Sequence, residues 1–142
     1  MTTAPERTAV RVELLVDQRW FAICDLTDLI PGRGVAALLP DGTQVAVFVD
    51  RAGRPYAIDN RDPFTGAYVL SRGLVGSAQG RPFVASPLLK QRFDLETGRC
   101  LDDETVTVQA YAARARDVAP ARGVARGRDV ASARDVAPAR VA

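Results

Sequence analysis

Turn signals recur about every ten residues from Gly32 to Gly98, and between them the chain has room for short strands but for no long helix. Pro40-Asp41-Gly42 separates the apolar runs 35–39 and 45–49 in the manner of a hairpin. A second turn at 51–54 leads into Tyr56-Ala57-Ile58. Residues 81–85, 92–95 and 105–108 also read as strands, divided by turns at Ser86-Pro87 and Glu96-Thr97-Gly98. Residues 20–26 alternate, with Trp20, Ala22 and Cys24 on one face and Phe21 and Ile23 on the other. Only 27–30 and 68–74 leave space for helical turns. The expected fold is all-β: a small antiparallel sandwich or barrel.

Composition divides the chain near Ala112. All three Tyr, all five Phe and the one Trp precede that point. Beyond it the chain uses only Ala, Arg, Val, Asp, Gly, Pro and one Ser, with ARDVAPAR at 115–122 and again at 133–140. Without aromatic residues, and with Pro120, Gly123, Gly127 and Pro138 interrupting any helix, this stretch has little with which to build a core. The chain is therefore expected to have a flexible N-terminus at 1–9, a β domain at 10–112 and a low-complexity, disordered C-terminal tail at 113–142. Charge divides at the same point: residues 1–112 carry 12 basic and 14 acidic side chains, whereas 113–142 carry seven Arg against three Asp. Arg126-Gly127-Arg128 is the only hint of a nucleic-acid contact. Asp117, Asp129 and Asp135 break the positive run and no aromatics are interleaved for stacking, so no nucleic-acid partner is expected.

The chain contains no histidine. A Ser-His-Asp triad, a Cys-His pair and an HExxH zinc site are thereby excluded. The two cysteines, Cys24 and Cys100, match neither a zinc pair nor a C-x-x-C redox motif and read as buried reduced thiols. No run approaches the 18 apolar residues of a membrane span, and Met1 to Glu13 lack the pattern of a secretory leader. The chain is expected to be cytoplasmic, with no membrane partner.

The stretch from Ser86 to Leu101, SPLLKQRFDLETGRCL, resembles the second half of a Rieske [2Fe–2S] domain, in which a C-P-x-H segment precedes a hairpin reading roughly F-D-L-x-T-G-x-x-L. Upstream, Asp62-Pro63-Phe64-Thr65-Gly66-Ala67 resembles the first cluster loop, C-x-H-x-G-A. The resemblance covers about 10–112. A Rieske centre takes two Cys on one iron and two His on the other. The resemblance sets those four ligand positions on Asp62, Phe64, Ser86 and Leu89, none of which matches the ligand set. Phe and Leu have no donor atom, so neither a cluster nor another metal is expected here. If the two loops still meet, Phe64 and Leu89 are expected to fill the space by packing, at roughly 1.5–3 kcal/mol each if fully buried.

Three further segments narrow the resemblance: Trp20-Phe21-Ala22-Ile23-Cys24, Ile58-Asp59-Asn60-Arg61-Asp62-Pro63-Phe64 and Leu70-Ser71-Arg72-Gly73-Leu74-Val75-Gly76. Together they are similar to the small-subunit family of bacterial assimilatory NAD(P)H-dependent nitrite reductase. That resemblance implies a non-catalytic subunit supporting the reduction of nitrite to ammonium. It also implies that flavin, a [4Fe–4S] cluster and sirohaem reside on a large catalytic subunit, the expected partner. The alternatives are a free-standing Rieske-like interaction module and an oxygenase-associated, ferredoxin-like component.

Other polar groupings have plainer explanations. Asp94 and Glu96 share a strand face as an acid–base pair would, but the hairpin pattern already accounts for them. Asp102-Asp103-Glu104 reads as a charged loop, and Gly32-Arg33-Gly34 as a strand-entry turn rather than a dinucleotide loop. No catalytic residue is assigned. Arg61 and Asp62, at a loop tip, are the candidate partner contacts, with an ion pair between loops as the structural alternative.

Overall fold

A computed structural model describes residues 9–118, as ten strands in three antiparallel sheets with two single 3-10 turns. The first sheet opens the chain: β1 (Ala9–Val16) and β2 (Arg19–Asp25) form a hairpin through Asp17 and Gln18, whose φ values of 51° and 67° give it the twist tight hairpins need. On the other side of β1 lies β10 (Ala113–Val118), with Ala9 opposite Val118 and Leu14 opposite Ala113. The domain therefore does not stop at 112, and Ala9 is strand as well. Ala113, Arg114, Ala115 and Arg116 alternate with a period of two, a strand pattern despite the missing aromatics. Arg114 supplies the packing they lack: its Nε donates to Glu13 Oε1 at 2.7 Å and its guanidinium lies 3.9 Å from the Trp20 ring centroid. The expectations for 1–8 and for the tail from 119 to 142 lie outside the described residues.

The second sheet has the order β3 (Val35–Leu38), β4 (Gln44–Val49), β5 (Pro55–Asp59) and β9 (Ala110–Tyr111). It is covered on both faces, which is why β4 reads as an unbroken apolar run rather than an alternation. Val45, Val47 and Val49 point to a core shared with Val12, Leu14 and Ile23 of the first sheet. Ala46 and Phe48 point the other way, to a core shared with Leu70, Val84, Phe93 and Leu95. The hairpin at Pro40-Asp41-Gly42 forms as expected: Asp41 Oδ1 accepts from the Thr43 N–H at 2.9 Å and Gly42 has φ 90°.

The third sheet, β6 (Leu74–Ala78), β7 (Arg81–Ala85) and β8 (Arg92–Asp94), lies over that second core. The stretch 68–74 contains a helical turn, at Leu70–Arg72, and a second turn at Leu26–Asp28 overlaps the stretch 27–30 but begins one residue earlier. Residues 105–108 do not form the expected strand. Asp103 accepts from the Thr105 N–H and hydroxyl, bending the chain there, and a single bridge from Arg99 to Thr107 remains. The segment is tied down by hydrogen bonds from the Val108 N–H to Gly98 O (2.8 Å) and from the Cys100 N–H to Val106 O (2.9 Å). Gly98 is required at this crossing: its φ is 81°, and a Cβ there would collide with the Val108 carbonyl oxygen.

Candidate functional site

The two loops that resemble cluster loops project from one end of the third sheet. Loop 1 runs from Asn60 towards the Leu70–Arg72 turn, and loop 2 links β7 to β8 through 86–91. Loop 1 is closed on itself by the Asp62 N–H donating to Ala67 O (2.7 Å) and the Gly66 N–H donating to Asp62 O (2.7 Å). Asn60, buried to 1% exposure, anchors its stem. Its Nδ2 donates to Gln44 Oε1 (3.1 Å) and Tyr68 O (3.2 Å), and its Oδ1 accepts from the Ser71 N–H (2.7 Å). Nothing in the sequence singles Asn60 out, because its partners come from three separate segments.

Loop 2 is a tight turn in which the Ser86 N–H donates to Gln91 O (2.8 Å) and the Lys90 N–H to Ser86 O (3.0 Å). A hydrogen bond joins the two loops: Ser86 Oγ donates to Asp62 Oδ2 at 2.6 Å, with both residues buried. Asp62 Oδ1 also accepts from the Phe64 N–H (2.8 Å), and Ser86 Oγ accepts from the Leu88 N–H (3.2 Å). A chain of hydrogen bonds thus runs from one loop through both side chains into the other.

The expected packing clamp of Phe64 and Leu89 is half right. Phe64 is half-buried against the second core, its ring centroid 6.2 Å from that of Phe93. Leu89 is 55% exposed and fills nothing. Loop 2 turns too tightly at 86–91 for this side chain to reach loop 1, and a polar contact clamps the loops instead. Asp62 is likewise withdrawn as a direct partner contact, since its carboxylate is buried and engaged by Ser86. Arg61 is exposed, and among the described residues it forms no ion pair.

The residues at the four matched positions do not fit a [2Fe–2S] cluster. The Asp62 and Ser86 oxygens are occupied by each other and by backbone N–H groups, Phe64 offers a ring, and Leu89 points to solvent. Elsewhere among the described residues, no three His, Cys, Asp or Glu side chains are arranged so that they could hold a metal ion.

The polar hairpin is structural. Buried Asp94 accepts from Arg81 Nε at 2.7 Å and from the N–H groups of Glu96 (2.7 Å) and Thr97 (3.0 Å), while Glu96 also pairs with Arg81 at 3.3 Å. Burial alone would raise the Asp94 carboxyl, but the hydrogen bonds from Arg81, Thr97 and Glu96 outweigh it and hold the carboxyl below the usual range. Its folded value therefore lies beneath the unfolded value of about 3.9. The stability it contributes is complete above about pH 4 and is lost as pH falls through the lower folded value. Urea midpoints followed from pH 6 to 2 should accordingly show a steeper acid decline for the native chain than for Asp94→Asn. Superimposable curves would show that Asp94 plays no part. Asp102 is similarly lowered by its Arg92 partner, at 2.8 Å. The Cys24 thiol is pushed up to about 12 by burial, with Asp28 and Asp25 adding to the effect, and it stays protonated at neutral pH.

An all-β frame carrying two cluster-type loops above a shared hydrophobic core places the chain in a class. It belongs to the Rieske-like [2Fe-2S] domain family, whose sequence model matches residues 19–119. Within that family it falls among the nitrite reductase small subunits. It is 50% identical over 105 residues to the nitrite reductase (NADH) small subunit of Salmonella typhimurium, covering 70% of this chain and 92% of that protein. The solution structure of the Escherichia coli protein NirD superposes with a TM-score of 0.61 at 48% identity, covering 68% of this chain and 87% of that one. A stretch of the Klebsiella oxytoca nitrite reductase [NAD(P)H] large subunit is also 42% identical over 104 residues, spanning 72% of this chain but 11% of that protein. Among the described residues no helix is long and apolar enough to cross a membrane.

Proposed function

We propose that the chain serves as a non-catalytic subunit of a cytoplasmic, assimilatory NAD(P)H-dependent nitrite reductase, bound to a large subunit that carries out the reduction of nitrite to ammonium. In this reading flavin, the [4Fe–4S] cluster and sirohaem belong to the large subunit, and this chain holds no redox centre. The observation that carries it is the Asp62–Ser86 hydrogen bond. Where the wider family sets a ligand from each loop, these two side chains bind each other and leave the loop frame intact without a metal. Such a frame presents loops but moves no electrons. The Klebsiella oxytoca large subunit, which includes a stretch like this domain, fits a role in contact with the catalytic chain.

Two measurements test the proposal. Anaerobic reconstitution with iron and sulfide should leave the purified chain colourless and free of bound iron; stoichiometric cluster absorbance would make it an electron carrier. Co-expression with the large subunit should yield a complex whose nitrite-dependent NAD(P)H oxidation exceeds that of the large subunit alone. No complex and equal activity would defeat the accessory role.

A further inference from the structure

Five of the six large apolar side chains exposed among the described residues lie around the loop end of the third sheet. Leu88 and Leu89 form the tip of loop 2, exposed by 48% and 55%. Leu74, 76% exposed, stands opposite Ala85, the last residue before that loop. Leu101 donates its N–H to the carbonyl of Arg92, the first residue after it. Tyr68 comes from loop 1, bridged to Arg61. Five exposed apolar side chains at one end of one sheet, with only Ile30 elsewhere among the described residues, suit a contact face better than scattered exposure does.

Charge on the two loops has one sign, whereas Asp102, Asp103 and Glu104, which follow Leu101, form an acidic edge beside them. From Asn60 to Gln91 the only carboxylate is Asp62, which is buried, whereas Arg61, Arg72 and Lys90 are exposed. At the far rim Asp102 is paired with Arg92. The remainder of the domain, with its excess of acidic side chains, differs in sign. The loops are also held in place in advance by the Asp62–Ser86 hydrogen bond, so little ordering remains to be done on contact.

We propose that this apolar, cation-rimmed loop end is the face that docks the nitrite reductase large subunit, which meets it with an apolar centre ringed by carboxylates. The inference rests on the accessory role proposed above and names its surface. Complementary charge favours such a partner. A second copy of this chain would bring like-charged rims together. Residues 119–142 are disfavoured for the same reason, since they carry five Arg against two Asp.

The test measures binding of the full chain to purified, cofactor-loaded large subunit by calorimetry, with circular dichroism checking that each variant is folded. The pair Leu88→Asp and Leu89→Asp should weaken binding by about 30-fold or more, as loss of a central anchor does. The pair Arg61→Glu and Lys90→Glu should weaken it by about tenfold and flatten its salt dependence. Gln79→Glu, in the exposed β6–β7 turn at the opposite end of the sheet, should leave it unchanged. Native chain that binds while the leucine pair binds equally well overturns the docking face alone. Native chain that does not bind overturns the accessory role itself. A native chain that self-associates, with the leucine pair abolishing self-association but not the complex, would assign the face to a homodimer and likewise overturn the proposal.

Discussion

Replacing Asp62 with Ala is expected to destabilise the domain by about 2–4 kcal/mol, because two donors that meet its carboxylate lose their acceptor in a buried place. The donors are the Ser86 hydroxyl at 2.6 Å and the Phe64 N–H at 2.8 Å. Ser86→Ala removes a donor and the acceptor of the Leu88 N–H, and should do less harm, about 1–2 kcal/mol. The double variant should be less unstable than the sum of the two, by about 1 kcal/mol or more, since each single change already breaks the shared contact. Urea denaturation of the four proteins at pH 7 gives the coupling. Additive losses would mean that the loops are not clamped through this pair.

Phe93→Ala is expected to cost about 3–5 kcal/mol, the range for emptying a large aromatic from a packed core. Phe93 is fully buried, and it joins β8 to the second core beneath loop 1 through its contact with Phe64. Phe64→Ala should lose less, about 1–2 kcal/mol, because that ring is only half-buried and its area loss is smaller. Thermal and urea unfolding would rank the two. An equal or reversed order would show that Phe64, not Phe93, is the principal packing element under the loops.

Much of the fold was legible because its signals are local. Pro40-Asp41-Gly42 and Glu96-Thr97-Gly98 mark turns by their own chemistry, and the run from Val45 to Val49 marks a buried strand. What escaped depended on distant partners or on weak turn residues. β1 follows an alternating pattern, but it leaves through Asp17-Gln18, a positive-φ turn without glycine. β10 hides in an alanine–arginine stretch whose packing comes from Trp20 and Glu13, about a hundred positions away in sequence. In the loops, the resemblance located Asp62, Phe64, Ser86 and Leu89, and residue chemistry ruled Phe64 and Leu89 out as metal ligands. It did not reveal which pair would meet. By side-chain chemistry alone the two apolar residues are the natural plug, whereas the backbone of the 86–91 turn aims Leu89 outward and Ser86 inward. The partner-contact assignment of Asp62 failed for the same reason, since a loop-tip position says nothing about which way a side chain faces.

The pairing of Ala9 with Val118 brings the first and last described residues side by side at one end of the first sheet. A module that is entered and left at one point can be spliced into another polypeptide through a short double-stranded neck, without separating the two ends of the host chain. The long Klebsiella oxytoca chain, in which a similar stretch makes up 11% of the length, is what such portability permits. Grafting residues 9–118 between two adjacent positions of an unrelated host loop should therefore leave both partners folded.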